Sequence, residues 1–285
     1  MPIPFTCPKC GKQTVVDDQF AGQTGPCASC GTTVTIPGAP FAPAASAPPG
    51  RSNTGTILLI IFGTIGIGAL LCAGLMVALL FPAVNAARDT AKRVNSMNNM
   101  KIISLAIMNY HDIYGQFPPA VVTDENGQPL YSGRVLLLSF LDEDGLYRQF
   151  DKSKAWNSPE NQEISSRSLN VFLDPSSTST NASRSDYVFV TGTGTIFESG
   201  KRITMRDITD GLSYTLAFIE TSAGPSSWAE PKEWDASAPL PPGNRKHLIL
   251  YALADGMVRS ASPSALQKVA HDLAVRDDGK VVVLP

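Results

Sequence analysis

Residues 57–114 read ILLIIFGTIGIGALLCAGLMVALLFPAVNAARDTAKRVNSMNNMKIISLAIMNYHDIY. The first 25 of these, residues 57–81, carry no charge. As a helix at 1.5 Å per residue they span roughly 37 Å, against a hydrocarbon core of ~30 Å. A buried core helix and a cleaved signal peptide are the competing readings. The run is too long and too apolar on all sides for the first. For the second it starts too far into the chain and has no clear small-residue cleavage site. A transmembrane helix over residues 55–81 is therefore expected. Gly63, Gly66, Gly68 and Gly74 would let a second helix approach closely.

The second part of the stretch has a different pattern. Val84, Ala87, Ala91, Val94, Met97, Met100, Ile103, Ile107, Tyr110 and Tyr114 recur at steps of three and four, one helical stripe. Gly115 and Pro118-Pro119 end it. Pro82 is absorbed near the membrane surface, where the chain can change direction. One nearly continuous helix is thus predicted to leave the bilayer and enter a soluble domain, lipid-facing in its first half and amphipathic in its second.

Upstream, four of the five cysteines fall in the first 30 residues, as Cys7-Pro-Lys-Cys10-Gly and Cys27-Ala-Ser-Cys30-Gly. Tetrahedral thiolate coordination suits Zn2+. Each Cys-x-x-Cys turn sets two sulfurs on one edge of an ion, and the Gly that follows lets the backbone bend beneath them. The 16-residue spacer is long enough for one hairpin to return the second pair, and Val15-Val16 and Val34-Thr35-Ile36 supply short strands. Two redox pairs or two disulfides are the alternatives. The doubled spacing favours a structural zinc-ribbon-like site at Cys7, Cys10, Cys27 and Cys30 over residues 1–38. So small a module draws most of its folding energy from the metal, and its thiolates prefer a reducing compartment. Residues 39–54, rich in Pro and Ala, read as an extended linker.

Charge gives conflicting advice on orientation. Arg88, Lys92, Arg93 and Lys101 follow the apolar run, whereas only Arg51 lies close before it, so the positive-inside rule mildly favours an internal C-terminal part. Exporting a thiolate-metal module is the stronger objection. The N-terminus is therefore expected in the cytoplasm and residues 82–285 outside it. The net charge of −2 leaves no broad basic surface, and Lys9 and Lys12 are offset by Asp17 and Asp18. Nucleic acid is not an expected partner.

A helix that is lipid-facing first and amphipathic afterwards is the arrangement of type IV pilins and type II secretion pseudopilins. The chain also resembles a large bacterial family of pilin-like proteins of unknown function that open with a prepilin-type helix. The resemblance is carried by Phe81-Pro82-Ala83-Val84-Asn85-Ala86-Ala87-Arg88, Asn98-Asn99-Met100-Lys101, Asn109-Tyr110-His111-Asp112 and Phe117-Pro118-Pro119. It continues at Arg134-Val135-Leu136-Leu137-Leu138, Trp156-Asn157-Ser158-Pro159, Asp207-Ile208-Thr209-Asp210-Gly211 and Ala254-Asp255-Gly256-Met257-Val258-Arg259. It covers roughly residues 80–262, in order. Family members usually start the helix with Gly-Phe-Thr-Leu-x-Glu after a short basic leader. Here Gly55-Thr56-Ile57-Leu58 stands there instead, with no acid in the first turns. Members also often carry one Cys before the Asn-Asn block and one in a Cys-Pro-Ser segment. The matching positions are Ser96 and Asp174, which implies the loss of one disulfide.

Within residues 82–285 the pattern predicts α+β: a helix from 134 to 150 interrupted near Asp142-Glu143-Asp144-Gly145, and a short helix from 159 to 169. Strands follow at 187–190, 213–221, 248–254 and 257–260, the last two joined by an Asp255-Gly256 turn. A helix over 265–273 and a strand at 281–283 complete it. An antiparallel sheet packed on the long helix is the expected architecture.

Catalytic signals are weak. There are three His, at 111, 247 and 271. No Gly-x-Ser-x-Gly elbow exists. His111 is read as helix-terminal packing and His247 as a solvated loop residue. Asp142-Glu143-Asp144 is read as an exposed acidic turn in preference to a cation site. Asp124-Glu125-Asn126-Gly127 is read as a β-turn, and Gly192-Thr193-Gly194-Thr195 lacks the Gly-Lys-Ser/Thr end of a phosphate loop. Trp228 and Trp234 lie on a flap packed on the sheet, or alternatively on a loop offered to a partner. The expected protein is non-enzymatic and single-pass, working in envelope assembly, secretion or interaction, with protein partners or self-association through the long helix. A membrane sensor or adaptor with a cytoplasmic zinc knuckle, and a hydrolase with an unrecognised site, are the rivals. No small-molecule substrate is indicated.

Overall fold

The computed structural model describes residues 2–38, 54–280 and 282–285, with the side chains of residues 54–57, 67, 69, 71 and 73 excepted. It divides into two units, residues 1–72 and 73–285.

In the first unit each Cys-x-x-Cys pair tops its own hairpin. β1 (Ile3–Thr6) pairs antiparallel with β2 (Gln13–Val16), and β3 (Thr24–Pro26) with β4 (Thr33–Thr35). The two turns repeat one pattern. Cys7 N–H donates to Lys12 O and Gly11 N–H to Cys7 O; Cys27 N–H donates to Thr32 O and Gly31 N–H to Cys27 O. Gly11 and Gly31 hold φ of 73° and 65°, the left-handed conformation that a Cβ disfavours. The spacer is therefore not a single hairpin: β2 and β3 belong to separate two-stranded sheets, linked through a 3-10 turn at Asp18–Phe20.

The helix α1 (Thr54–Tyr114) runs through Pro82. The expected linker at 39–54 lies outside the described residues except at Thr54, which already belongs to α1. Among the described residues no helix is long and apolar enough to cross a membrane. Within the expected span over 55–81, the side chains of residues 55–57, 67, 69, 71 and 73 lie outside the description.

In the second unit the amphipathic stripe is used from Met97 onward. Met100, Ile103, Ala106, Ile107 and Tyr110 enter the main core, whereas Val84 and Val94 are exposed. A hairpin follows, β5 (Val121–Thr123) with β6 (Pro129–Ser132). Then come α2 (Arg134–Leu137), a 3-10 turn, and α3 (Asp144–Gln149). The break between α2 and α3 falls at Asp142, which adopts φ 59°. The short α4 (Pro159–Ser165) is capped by Ser158, whose Oγ accepts from Asn161 N–H.

The five-stranded sheet is built from β7 (Tyr187–Thr191), β8 (Leu216–Glu220), β9 (Trp234–Asp235), β10 (Ile249–Leu253) and β11 (Val258–Ala261), in the order β11-β10-β8-β7-β9. All pairs are antiparallel except β7 with the two-residue β9. Tyr187 and Phe189 join the α1 cluster, whereas Val188 and Val190 join a second cluster with Leu266, Ala270 and Leu273 of α5 (Pro263–Ala274). The sheet is thus covered on both faces, by α1 on one and α5 on the other. This accounts for strands such as ILYAL and LAFIE, which are buried throughout and do not alternate. The expected last strand is not formed at 282–285, and residue 281 lies outside the described residues. Val282 packs into the second cluster, while Val283 is exposed.

Candidate metal centre and buried ion pairs

The two knuckle turns bring Cys7, Cys10, Cys27 and Cys30 together, their sulfurs all within 4.8 Å of one another. Cys7 Sγ lies 3.8 Å from Cys30 Sγ, and Cys10 Sγ lies 4.0 Å from Cys27 Sγ. Four thiolates at ~2.3 Å from a tetrahedral ion would stand about 3.8 Å apart. The set therefore has the size of a metal centre.

The turns also prepare the thiols for a cation. Backbone N–H groups of Ser29 and Cys30 draw the Cys27 thiol down to about 6. The Thr32 N–H and hydroxyl draw Cys30 down as well. For Cys10 the Lys12 N–H acts downward, but the neighbouring thiols outweigh it and push it up to about 11. Crowded thiols resist ionising together, and a bound cation would relieve that repulsion. Four protein ligands fill a tetrahedron and leave no position for water, so the chemistry available is structural.

The domain beyond holds buried ion-pair systems that sequence reading missed. Arg134 is 1% exposed. It meets Glu233 at 2.9 Å and donates to the carbonyls of Trp228, Tyr187 and Glu230. Glu233 in turn accepts from Phe189 N–H and Ser132 Oγ, filling the edge of β7 beside the short β9. Burial pushes the Glu233 carboxyl up, and Arg134 opposes that. The second system joins Ser96, Asp174, Tyr187, Arg245 and Glu220. Arg245 grips Asp174 through both terminal nitrogens at 2.9 and 3.0 Å and also pairs with Glu220. The third ties Arg276 to Glu198 at 2.9 Å and to Thr195 O. The available signal was an Arg heading an apolar run, as Arg134 does before VLLL.

The remaining sequence candidates take structural positions. His111 Nε2 accepts from Met205 N–H at 3.3 Å, and His247 is exposed. Asp124 Oδ1 accepts from the N–H groups of Asn126 and Gln128, closing the expected turn. Asp142 and Asp144 are exposed. Trp228 is fully buried, its indole N–H donating to Arg167 O. Trp234 is buried too, so the flap packs on the sheet and neither ring is offered to a partner.

Residues 85–200 match the model of a family described as a protein of unknown function (DUF1559). The match begins within α1 and ends after β7. It includes neither the four-cysteine module nor the blocks at 207–211 and 254–259. Neither a curated protein nor a solved structure matches the chain.

Proposed function

We propose that this is a non-enzymatic, single-pass membrane protein. Residues 57–81 lie in the bilayer, a cytoplasmic zinc ribbon is held by Cys7, Cys10, Cys27 and Cys30, and a pilin-like α+β domain works outside in envelope assembly, secretion or interaction. One observation carries this reading. The described side chains of α1 from Leu58 to Phe81 are exposed on every side of the helix and none is charged. Leu59, Phe62, Leu70, Met76, Leu79 and Phe81 are each more than 60% exposed. So much apolar surface around a whole helix is costly in water and requires lipid or other helices.

The distinct roles of the two parts of α1 support the same reading. Its C-terminal turns supply core residues to the domain, as a pilin-type helix does. Among the described residues nothing lies within 4 Å of where a Cβ would stand on Gly63, Gly66, Gly68 or Gly74, which leaves room for a second copy of the helix. Zinc suits the four thiols better than a hard cation does.

Two measurements on the full chain test the proposal. Extraction of membranes at alkaline pH should leave the chain in the pellet, and release into the supernatant would refute the membrane span. Protease added to sealed, right-side-out vesicles should digest residues 82–285, and protection of that domain would reverse the topology.

A further inference from the structure

Many cations of the domain pair with carboxylates. Arg134, Arg148, Arg167, Arg184, Arg245 and Arg276 all have acidic partners. One place differs. Lys92 and Arg93 on α1, together with Lys246 and His247 from the loop before β10, line one open cavity of about 450 Å³. All four are exposed. Among the described residues, Lys92, Arg93 and Lys246 make no ion pair or hydrogen bond. The acid on this wall is Asp89; the Arg245 guanidinium behind it is already neutralised by Asp174 and Glu220. Ser176 adds a hydroxyl. In a chain of net charge −2, this is a local concentration of unpaired positive charge, assembled from segments far apart in sequence.

Its position on the helix defines its ligand. Asp89, Lys92 and Arg93 lie on the same face as Ser96, one to two turns before the first buried residue of α1. Lys92 and Arg93 follow Phe81 by eleven and twelve residues, roughly 17–18 Å along the helix. The interfacial layer beyond the hydrocarbon is ~5–8 Å deep on each side. A helix tilt of ~20° shortens this height only to roughly 16–17 Å, so the long Lys and Arg side chains must snorkel back along the helix for their charges to meet the headgroups.

We propose that this cavity binds the phosphate of an anionic phospholipid headgroup and so seats the domain on the membrane surface. The inference rests on the membrane reading above. It needs no choice of leaflet, and it gives Lys92 and Arg93 a role other than setting orientation.

The test uses the full chain purified in neutral detergent with equal amounts of phosphatidylglycerol and phosphatidylcholine, and native mass spectrometry of the lipid retained. Phosphatidylglycerol should be retained preferentially, and the preference should fall with added salt. Each removed cation should cost about fivefold in affinity, so K92A/R93A/K246A should lose roughly a hundredfold. The K268A control, on an exposed position of α5, should retain lipid as the parent does. Equal retention of the two lipids, or an unaltered preference in the triple variant, would overturn the proposal. So would displacement of the lipid by millimolar inorganic phosphate, which would make free phosphate the ligand. The alkaline extraction separates the two claims: a chain that stays in the membrane without headgroup preference loses this inference alone, whereas a chain that is extracted loses the membrane reading.

Discussion

Ser96 donates a hydrogen bond from Oγ to Asp174 Oδ2 at 3.0 Å, and both side chains are shut off from solvent. These are the two positions at which the resembled family often carries cysteines. A polar tie therefore stands where the resemblance implies a covalent one, and it still fastens α1 to the loop after Leu173. Asp174 extends it: Arg245 binds the carboxylate through both terminal nitrogens, Ser176 N–H donates to Oδ1, and Tyr187 Oη lies 2.8 Å from Ser96 Oγ.

Loss of Asp174 should be severe. D174A leaves Arg245 with only Glu220 and takes the carboxylate acceptor from Ser96, which keeps Tyr187 Oη. Breaking a buried pair from one side costs on the order of 3–5 kcal/mol. S96A removes one neutral donor and should cost about 1 kcal/mol. Chemical denaturation of both variants and of the double variant checks this; a double no worse than D174A would show that Ser96 acts through the carboxylate.

The same network predicts a pH response. Burial and the neighbouring Asp174 raise the Glu220 carboxyl from 4.5 to about 7, against the pull of Arg245. A raised carboxyl binds its proton more tightly in the folded chain than in the unfolded one. Its stabilising contribution is complete below about 4.5 and is lost as pH rises through about 7. Thermal melts from about pH 4.5 to about pH 8 should show this decline, and E220Q should flatten it. A parent Tm that rises through that window on account of Glu220 would contradict the assignment.

The back of the sheet tests how far the sequence could be read. The strands at 187–191, 216–220, 249–253 and 258–261 were legible as short β-branched and aromatic runs, and the Asp255-Gly256 turn was explicit. Their burial on both faces is also written in the sequence, because YVFV and ILYAL do not alternate, yet nothing local in residues 263–274 fixes where α5 packs. The parallel β9 was not legible. It is two residues long, and its neighbour Glu233 binds β7 through a side chain, a long-range arrangement that no local pattern encodes. L273A should therefore cost about 2–5 kcal/mol by opening a cavity between α5 and β8; urea denaturation measures it. A loss below about 1 kcal/mol would mean that α5 does not cover that face.

The gathering of the four cysteines was legible, since their spacing predicts it, whereas the pair of separate hairpins was not. That difference sets the last prediction. Each hairpin is only three or four residues per strand, and its side chains are mostly exposed, so little apolar burial holds it without a metal. Cys7 is the one of the four cysteines that is buried. Any single Cys→Ser change among Cys7, Cys10, Cys27 and Cys30 should lower bound zinc from one ion per chain to nearly none after dialysis. Chelation should likewise abolish the protection of amides in residues 3–36 against hydrogen exchange. Because the core of residues 73–285 shares no ligand with this site, its protection should survive the same treatment. Metal uptake should also release protons and weaken as pH falls, since thiolates must form first. Retention of the hairpin amides after zinc is gone would mean that the two strand pairs stand without the ion, and the metal would then be a guest rather than the support of the module.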